Sequence, residues 1–399
     1  MHILLIHQAF AALDEPGGTR HHELARFLVS KGHQVTVIAS PVSYLTGSAS
    51  TKGRETLDGI TILRPAVYSA HHKSFFHRLL AFFSFMFASF FAGLSVNHVD
   101  VVWGTSPPIF QGVSAWLLAR LKGAKFLFEV RDLWPDFAIA VGVLKNPLLI
   151  RLSLWLERFL YRHADQMIVN SPGYVEHVKS RGARAVELIP NGADPEMFSP
   201  LDVGAQFRNA NNLKNKFVVL YAGAHGMSND LGVILEAAQL LSNRLDLQFV
   251  LLGDGKEKAQ LQARAAELGL KNVLFLPPVP KSGMSAALAG ADACLAILKP
   301  IDEYKTTYPN KVFDYMAAGR PVLLAIDGVI REVVEAAECG LFCTPGEPQA
   351  LAEAILTLLG DRDRALQMGL AGRAYLEEHF SREKLAEKLE RVFSALAAQ

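Results

Sequence analysis

Two hydrophobic rhythms alternate along the chain. Short apolar runs bounded by polar or glycine-bearing stretches predict buried strands at residues 3–6, 34–39, 60–63, 100–104, 125–130, 166–170 and 186–189. Between them, apolar residues recur at helical spacing. Glu23, Leu24, Phe27 and Leu28 begin one helix, which ends near Gly32. Pro107-Pro108 and Pro172 open two more, and residues 147–163 form another. After a polar, Asn-rich stretch at 202–216 the alternation restarts. Strands are predicted at 217–221, 247–252, 273–276, 292–298, 322–325 and 341–342, with helices at 229–241, 256–268, 281–290, 332–337 and from 348 onward. This order predicts an α/β protein with parallel sheets and right-handed crossovers. The expected architecture is two Rossmann-like domains, residues 1–195 and 217–380, joined by a linker at 196–216 and facing a cleft.

One stretch breaks the rhythm. Residues 79–96 carry no charge, and phenylalanine crowds the window around them. At helical spacing, Leu79, Phe82, Phe83, Met86, Phe90, Phe91 and Leu94 form a bulky stripe. Ala81, Ser84, Ala88, Ser89, Ala92 and Ser95 form a small-residue face, broken by Phe85. Such a helix packs its small face closely and buries its bulky face elsewhere, in the core or in the outer part of a bilayer. A transmembrane span fits poorly, because the strands on either side must join one sheet. His71, His72, Lys73, His77 and Arg78, just before the stripe, suit anionic headgroups.

Composition narrows the class. With 399 residues, half of them hydrophobic, the chain has material for two domains. A formal charge of +1 gives no global pull toward nucleic acid. Cys294, Cys339 and Cys343 show neither metal spacing nor a disulfide pattern, which suits a reducing cytoplasm. The first apolar run is too short for a signal peptide and lacks a basic lead.

Candidate chemistry gathers where strands end. Pro309 and Asn310 start a helix through Val312, Phe313, Met316 and Ala317, closed by Gly319 and Pro321. Asn310 and Lys311 therefore lie in a first turn, where free amides and the helix dipole favour an anion. Asp314, one turn on, offers a carboxylate to sugar hydroxyls. An ordinary surface helix fits the same spacing. Gly17-Gly18 follows the first strand, at the edge where open α/β sheets bind ligands, although a plain turn explains it equally and no G-x-G-x-x-G fingerprint is present. The strand at 125–130 runs into Arg131 and Asp132. Arg131 can grip a phosphate and Asp132 can bind a hydroxyl or stabilise positive charge on a sugar ring, or the two close an internal network with Glu129.

With these motifs on the page, the chain resembles the retaining glycosyltransferases of family 4, which have the GT-B fold. The resemblance rests on Gly17-Gly18, Pro190-Asn191-Gly192 with Asp194 and Phe198, Tyr221-Ala222-Gly223, Gly253-Asp254-Gly255, and the run from Lys311 to Pro321. The phenylalanine-rich helix and Arg131-Asp132-Leu133-Trp134-Pro135 make it similar to the subgroup that builds bacterial O-antigen, capsule and lipopolysaccharide, including fucosamine transferases. The resemblance implies a C-terminal helix, about 381–399, crossing back to the first domain. It implies a UDP-linked donor bound through Gly17, Gly18, Gly223, His225, Gly253, Lys281, Thr306, Asn310, Lys311 and Asp314, with Lys311, Lys281 and His225 on the diphosphate and Asp314 on the ribose. Thr306 stands where the family has an acid, His225 and Asn229 where it often has Arg and Lys, and Arg131 where it has His.

The implied reaction keeps the anomeric configuration and needs neither metal nor cofactor. No Asp-x-Asp pair ends a strand. Asp132 and Arg131 are the expected catalytic residues. The donated sugar is an N-acetylated hexosamine or deoxyhexosamine, and the acceptor a lipid-linked saccharide on a polyprenyl diphosphate. Phe82, Phe83 and Phe90 would meet that lipid at the cytoplasmic face of the inner membrane. A nucleotide-sugar 2-epimerase and a non-catalytic nucleotide-sugar sensor are the competing readings.

Overall fold

The structure is a computed structural model that describes residues 1–15, 17–42, 53–68, 75–198 and 204–398. His71, His72, Lys73 and part of the expected linker lie outside the described residues. The chain divides into two compact units. One is Met1–Pro190 with Glu383–Gln399, and the other is Asn191–Arg382.

The first unit runs β1 (His2–Ile6), α1 (Arg20–Ser30), β2 (Gln34–Ile38), β3 (Gly53–Leu57), β4 (Ile60–Arg64), α2 (Phe75–Leu94), β5 (Val101–Ser106), α3 (Phe110–Lys122), β6 (Lys125–Val130), α4 (Asp136–Ala140), α5 (Pro147–His163), β7 (Gln166–Val169), α6 (Val175–Ser180) and β8 (Val186–Leu188). The strands form one sheet in the order β3-β4-β2-β1-β5-β6-β7-β8. Pairing is parallel throughout, with Ile3 beside both Val35 and Val101, except that β3 is an antiparallel edge strand. Chain order reverses on the two sides of β1, so the β1/β5 boundary is the switch point where open α/β sheets take ligands.

Helix α2 explains its own composition. Ala81, Phe85 and Ser89 recur every fourth residue and are fully buried. Gly93 continues that line against α3, where an added Cβ would lie 2.4 Å from Leu118. The expected small face is met in part: Ala81 and Ser89 lie on the close-packed line, together with Phe85 and Gly93, whereas Ser95 is exposed. The bulky stripe divides. Phe83 meets Phe110 at 4.7 Å and Phe82 lies 6.4 Å from the same ring, whereas Phe91 is 66% exposed; Phe87, outside the expected stripe, is 58% exposed. Residues His77–Leu94 are long and apolar enough to cross a membrane, but α2 connects β4 and β5 of one sheet and packs along α3.

The second unit contains α7 (Gly204–Ala210), β9 (Phe217–Ala222), α8 (Leu231–Leu240), β10 (Leu247–Leu252), α9 (Lys258–Glu267), β11 (Val273–Leu276), α10 (Lys281–Ala289), β12 (Ala293–Ile297), α11 (Asn310–Ala317), β13 (Val322–Ala325), α12 (Val329–Ala336), β14 (Gly340–Phe342), α13 (Pro348–Gly360) and α14 (Arg362–His379). Its parallel sheet has the order β11-β10-β9-β12-β13-β14, with a switch point between β9 and β12. Along β9, Val218 and Leu220 enter one core while Phe217, Val219 and Tyr221 enter the other. A sheet covered on both faces needs such continuous apolar strands. The stretch expected as linker contains α7, held in this unit by contacts with α10 and by Arg208 on Asp292 at 2.6 Å. The last helix, α15 (Arg382–Ala397), returns to the first unit, where Leu385, Leu389 and Phe393 join the core around Trp103.

Candidate active site

In the first unit, polar groups crowd the switch point because β1 and β6 both end there. His7 and Gln8 follow β1, and Arg131 and Asp132 follow β6. His21 and Arg20 come from the first turn of α1. Glu129 is fully buried and accepts hydrogen bonds from Arg20 Nε (3.1 Å) and Trp103 Nε1 (3.1 Å), with His21 Nε2 at 2.7 Å. Burial alone would raise its carboxyl, but His21 and Arg20 outweigh burial and hold it down at about 2. Arg131 Nη1 lies 3.2 Å from both His7 Nε2 and His21 Nδ1. A guanidinium only donates, so both ring nitrogens accept and both imidazoles are neutral. Burial pushes His21 down to about 4, against the pull of Glu129, and pushes His7 down further, helped by His21 and Arg131. His7 then donates from Nδ1 to Thr105 Oγ1 at 2.9 Å.

This network differs from the expected Glu129–Arg131 contact. Glu129 pairs with Arg20 and His21, and His21 relays to Arg131. Neither histidine was singled out in the sequence, and their place after β1 and at the start of α1 was the available signal. One nitrogen of Arg131 is committed to the two imidazoles. Asp132 is half-buried, and its Oδ1 is shielded from solvent without a hydrogen-bond partner. Burial raises its carboxyl to about 6, against the pull of Arg131. Gly17 and Gly18 lie exposed in the loop after β1.

In the second unit, Gly223, His225, Gly253 and Lys311 converge at the β9/β12 switch point. Both glycines adopt positive φ, 152° and 150°. A Cβ on Gly223 would lie 2.8 Å from Lys311 Nζ, and one on Gly253 would lie 1.9 Å from the Gly223 carbonyl. Only glycine lets these two turns come together. His225 is fully buried and neither ring nitrogen has a partner; burial and Lys258 push it down to about 4. Lys311 comes from the first turn of α11, which Tyr315 ties to the sheet through the Ala222 amide at 3.1 Å. The Lys311 side chain crosses the face of Tyr221, with Nζ 4.0 Å from the ring centroid. That Nζ is shielded from solvent and has no hydrogen-bond partner, and burial lowers it to about 7. Asn310 Oδ1, one residue earlier, is likewise buried and unpartnered.

The other expected contacts are arranged differently. Lys281 Nζ lies 2.6 Å from Asp314 Oδ1, with both side chains largely buried, so its charge is already matched. Thr306 Oγ1 donates to the Glu303 carbonyl at 2.6 Å within the short 3-10 helix Asp302–Thr306. Among the described residues, no group of three or more His, Cys, Asp or Glu side chains is arranged to hold a metal ion.

The comparisons with known proteins give the family and the fold. The model of the glycosyl transferase 4-like domain matches residues 17–192, and that of glycosyl transferases group 1 matches residues 216–361. A putative colanic acid biosynthesis glycosyl transferase, WcaI of Escherichia coli (strain K12), is 26% identical over 74% of this chain and 76% of its own. Sucrose-phosphate synthase from Thermosynechococcus elongatus superposes with a TM-score of 0.81 at 20% identity, covering 100% of this chain and 99% of its own. Anabaena Alr3699/HepE, solved in complex with UDP-glucose, does so with a TM-score of 0.76 at 17% identity, covering 99% and 100%. One family model falls on each unit, the two together span most of the chain, and the chain belongs to the family 4, group 1 glycosyltransferases with the GT-B fold.

Proposed function

We propose that this protein is a retaining glycosyltransferase that moves a sugar from a UDP-linked donor to a growing, polyprenyl-linked surface polysaccharide. The observation that carries the reading is Lys311 Nζ, a buried amine with no hydrogen-bond partner beside the Gly223 and Gly253 turns. A diphosphate supplies the missing charge partner, the glycine turns leave room for it, and the first-turn amides of α11 supply donors. Departure of the nucleotide leaves an oxocarbenium-like sugar and a growing negative charge on the phosphate. Stabilising that charge with preorganised donors is the main catalytic term. In this reading Lys311 and the amides do so without a metal ion. Neutral His225 donates to a phosphate or a sugar hydroxyl. Asp314, oriented by Lys281, takes the ribose.

Asp132 serves the acceptor. Its raised carboxyl suits a proton acceptor near neutral pH, and a leaving phosphate oxygen can take the same proton. The relative WcaI, described for colanic acid biosynthesis, and HepE, bound to UDP-glucose, support a surface-polysaccharide product and a UDP-linked donor. The exposed Phe87 and Phe91 support peripheral attachment at the cytoplasmic face of the inner membrane. The donated sugar on this reading is an N-acetylated hexosamine or deoxyhexosamine. A thermal-shift screen of nucleotide-sugars identifies the donor, since a ligand of the folded state raises Tm. The anomeric configuration of the product, read by NMR, tests retention; an inverted linkage removes it.

A further inference from the structure

The first unit encloses a cavity of about 730 Å³ between α2, α3 and α5. That lies within the range of about 300–1,000 Å³ typical of small-molecule sites. Its walls are mainly aromatic and aliphatic, with Phe82, Phe83, Phe110 and Trp134 prominent. Leu152 and Trp155 of α5 also line it and are 53% and 61% exposed, so they mark its solvent side. Gln8, Arg131 and Asp132 line it too, and they sit where β1 and β6 end.

Two of those polar groups are unsatisfied. Gln8 is 5% exposed, and neither its amide oxygen nor its nitrogen has a partner. Asp132 Oδ1 is in the same condition. Leaving buried polar atoms unpaired is costly, which marks this end as built for a polar ligand group. Arg131 and Arg78 put two cations in the lining. A phosphorylated head suits the two arginines and the Gln8 amide nitrogen, an adjoining sugar hydroxyl suits the Asp132 carboxylate, and a long apolar tail suits the walls.

The mouth continues onto an exposed face of α5. Leu148 and Trp155 project there beside Arg151, Arg158 and Arg162, all exposed. Exposed aromatic and aliphatic side chains flanked by arginines suit an anionic bilayer surface, from which a lipid tail is drawn.

We infer that this cavity binds the isoprenoid phosphate end of the lipid-linked acceptor, with the tail along Phe82, Phe83 and Phe110 and the phosphorylated head at Gln8, Arg131 and Arg78. The assignment rests on the transferase reading above and adds to it the place where the acceptor's lipid is held. It also gives Phe82 and Phe83 a role inside the protein, while Phe87 and Phe91 face outward.

The probe is farnesyl diphosphate added to the full chain. Trp134 and Trp155 line the cavity, so tryptophan emission reports occupancy. Farnesyl diphosphate should change the emission saturably, and inorganic pyrophosphate at the same concentration should not. Val113→Phe, which fills part of the cavity, should weaken farnesyl diphosphate binding at least about tenfold while UDP still raises Tm, which shows the variant is folded. If Val113→Phe does not fold, Leu152→Arg at the mouth serves instead. Absence of a saturable change while UDP still binds overturns the inference and leaves the transferase reading intact. Equal displacement of farnesyl diphosphate by lysophosphatidylglycerol assigns the cavity to bilayer lipid and overturns the acceptor. Farnesyl diphosphate binding without a response to any nucleotide-sugar overturns the transferase reading, and the acceptor assignment with it.

Discussion

Replacing Lys311 by Met should stabilise the unliganded protein and abolish its response to UDP. Methionine keeps the length and apolar stem of the side chain and removes only the charge. Burial without a partner lowers the ammonium from 10.5 to about 7. At about 1.36 kcal/mol per pH unit, a folded chain that carries the proton is penalised by up to about 5 kcal/mol near pH 6. Between about 7 and 10.5 the unfolded chain holds a proton that the folded chain lacks, so the penalty shrinks as pH rises, to about 2 kcal/mol near pH 9. The gain from Lys311→Met should follow the same course. For a unit of this size each kcal/mol moves Tm by about 2–4 °C. Saturating UDP should narrow this gap near neutral pH and reverse the order near pH 9, where the penalty has fallen to about 2 kcal/mol. The wild type gains about 2.7 kcal/mol at 100 times Kd, and the variant gains little. Because diphosphate raises the ammonium again, UDP binding near pH 8 should take up close to one proton, which calorimetry in buffers of different ionisation enthalpy measures. A lower Tm for unliganded Lys311→Met, or an undiminished response to UDP, would show that this cation is not held vacant for phosphate.

Three further outcomes are expected. The pH profile of kcat/KM should rise through about 6 as Asp132 ionises; Asp132→Asn should remove that limb and lower kcat by about 10²–10⁴, and an unchanged profile would remove its role as base. Lys281→Met or Asp314→Leu alone should destabilise by about 3–5 kcal/mol in urea titrations, because each strands a buried charge, whereas the double change should cost far less; additive losses would refute the pairing. Phe87→Ser with Phe91→Ser should weaken co-sedimentation with anionic vesicles more than Phe82→Ser with Phe83→Ser, and the opposite order would place the membrane face elsewhere.

Strands buried on both sides were the most legible part of the sequence. Lys125–Val130, Leu247–Leu252 and Val322–Ala325 have the predicted bounds, because a covered strand must be apolar throughout. The edge strand Gly53–Leu57 was not legible: it reads Gly-Arg-Glu-Thr-Leu, is largely exposed, and is stabilised by its neighbour rather than by its own side chains. Gly204–Ala210 read as linker because its polar residues face solvent, although it folds against α10. At the site, Lys311 and Asp132 were legible because each charge sits at the end of an apolar element. The partnership of Lys281 with Asp314 was not, since nothing local signals two side chains brought together from separate helices. The same holds for His7 and His21, which meet at Arg131 only once β1, α1 and β6 are assembled.

Helix α15 has a consequence for synthesis. Its Leu385, Leu389 and Phe393 complete the core around Ile3, Leu5 and Trp103, yet they leave the ribosome after the whole of the second unit. At about 5–20 residues per second, the nascent first unit waits roughly 10–40 s with that apolar patch bare. Chaperone demand should therefore peak while residues 191–382 are being translated, and a premature stop before α15 should aggregate through its N-terminal half.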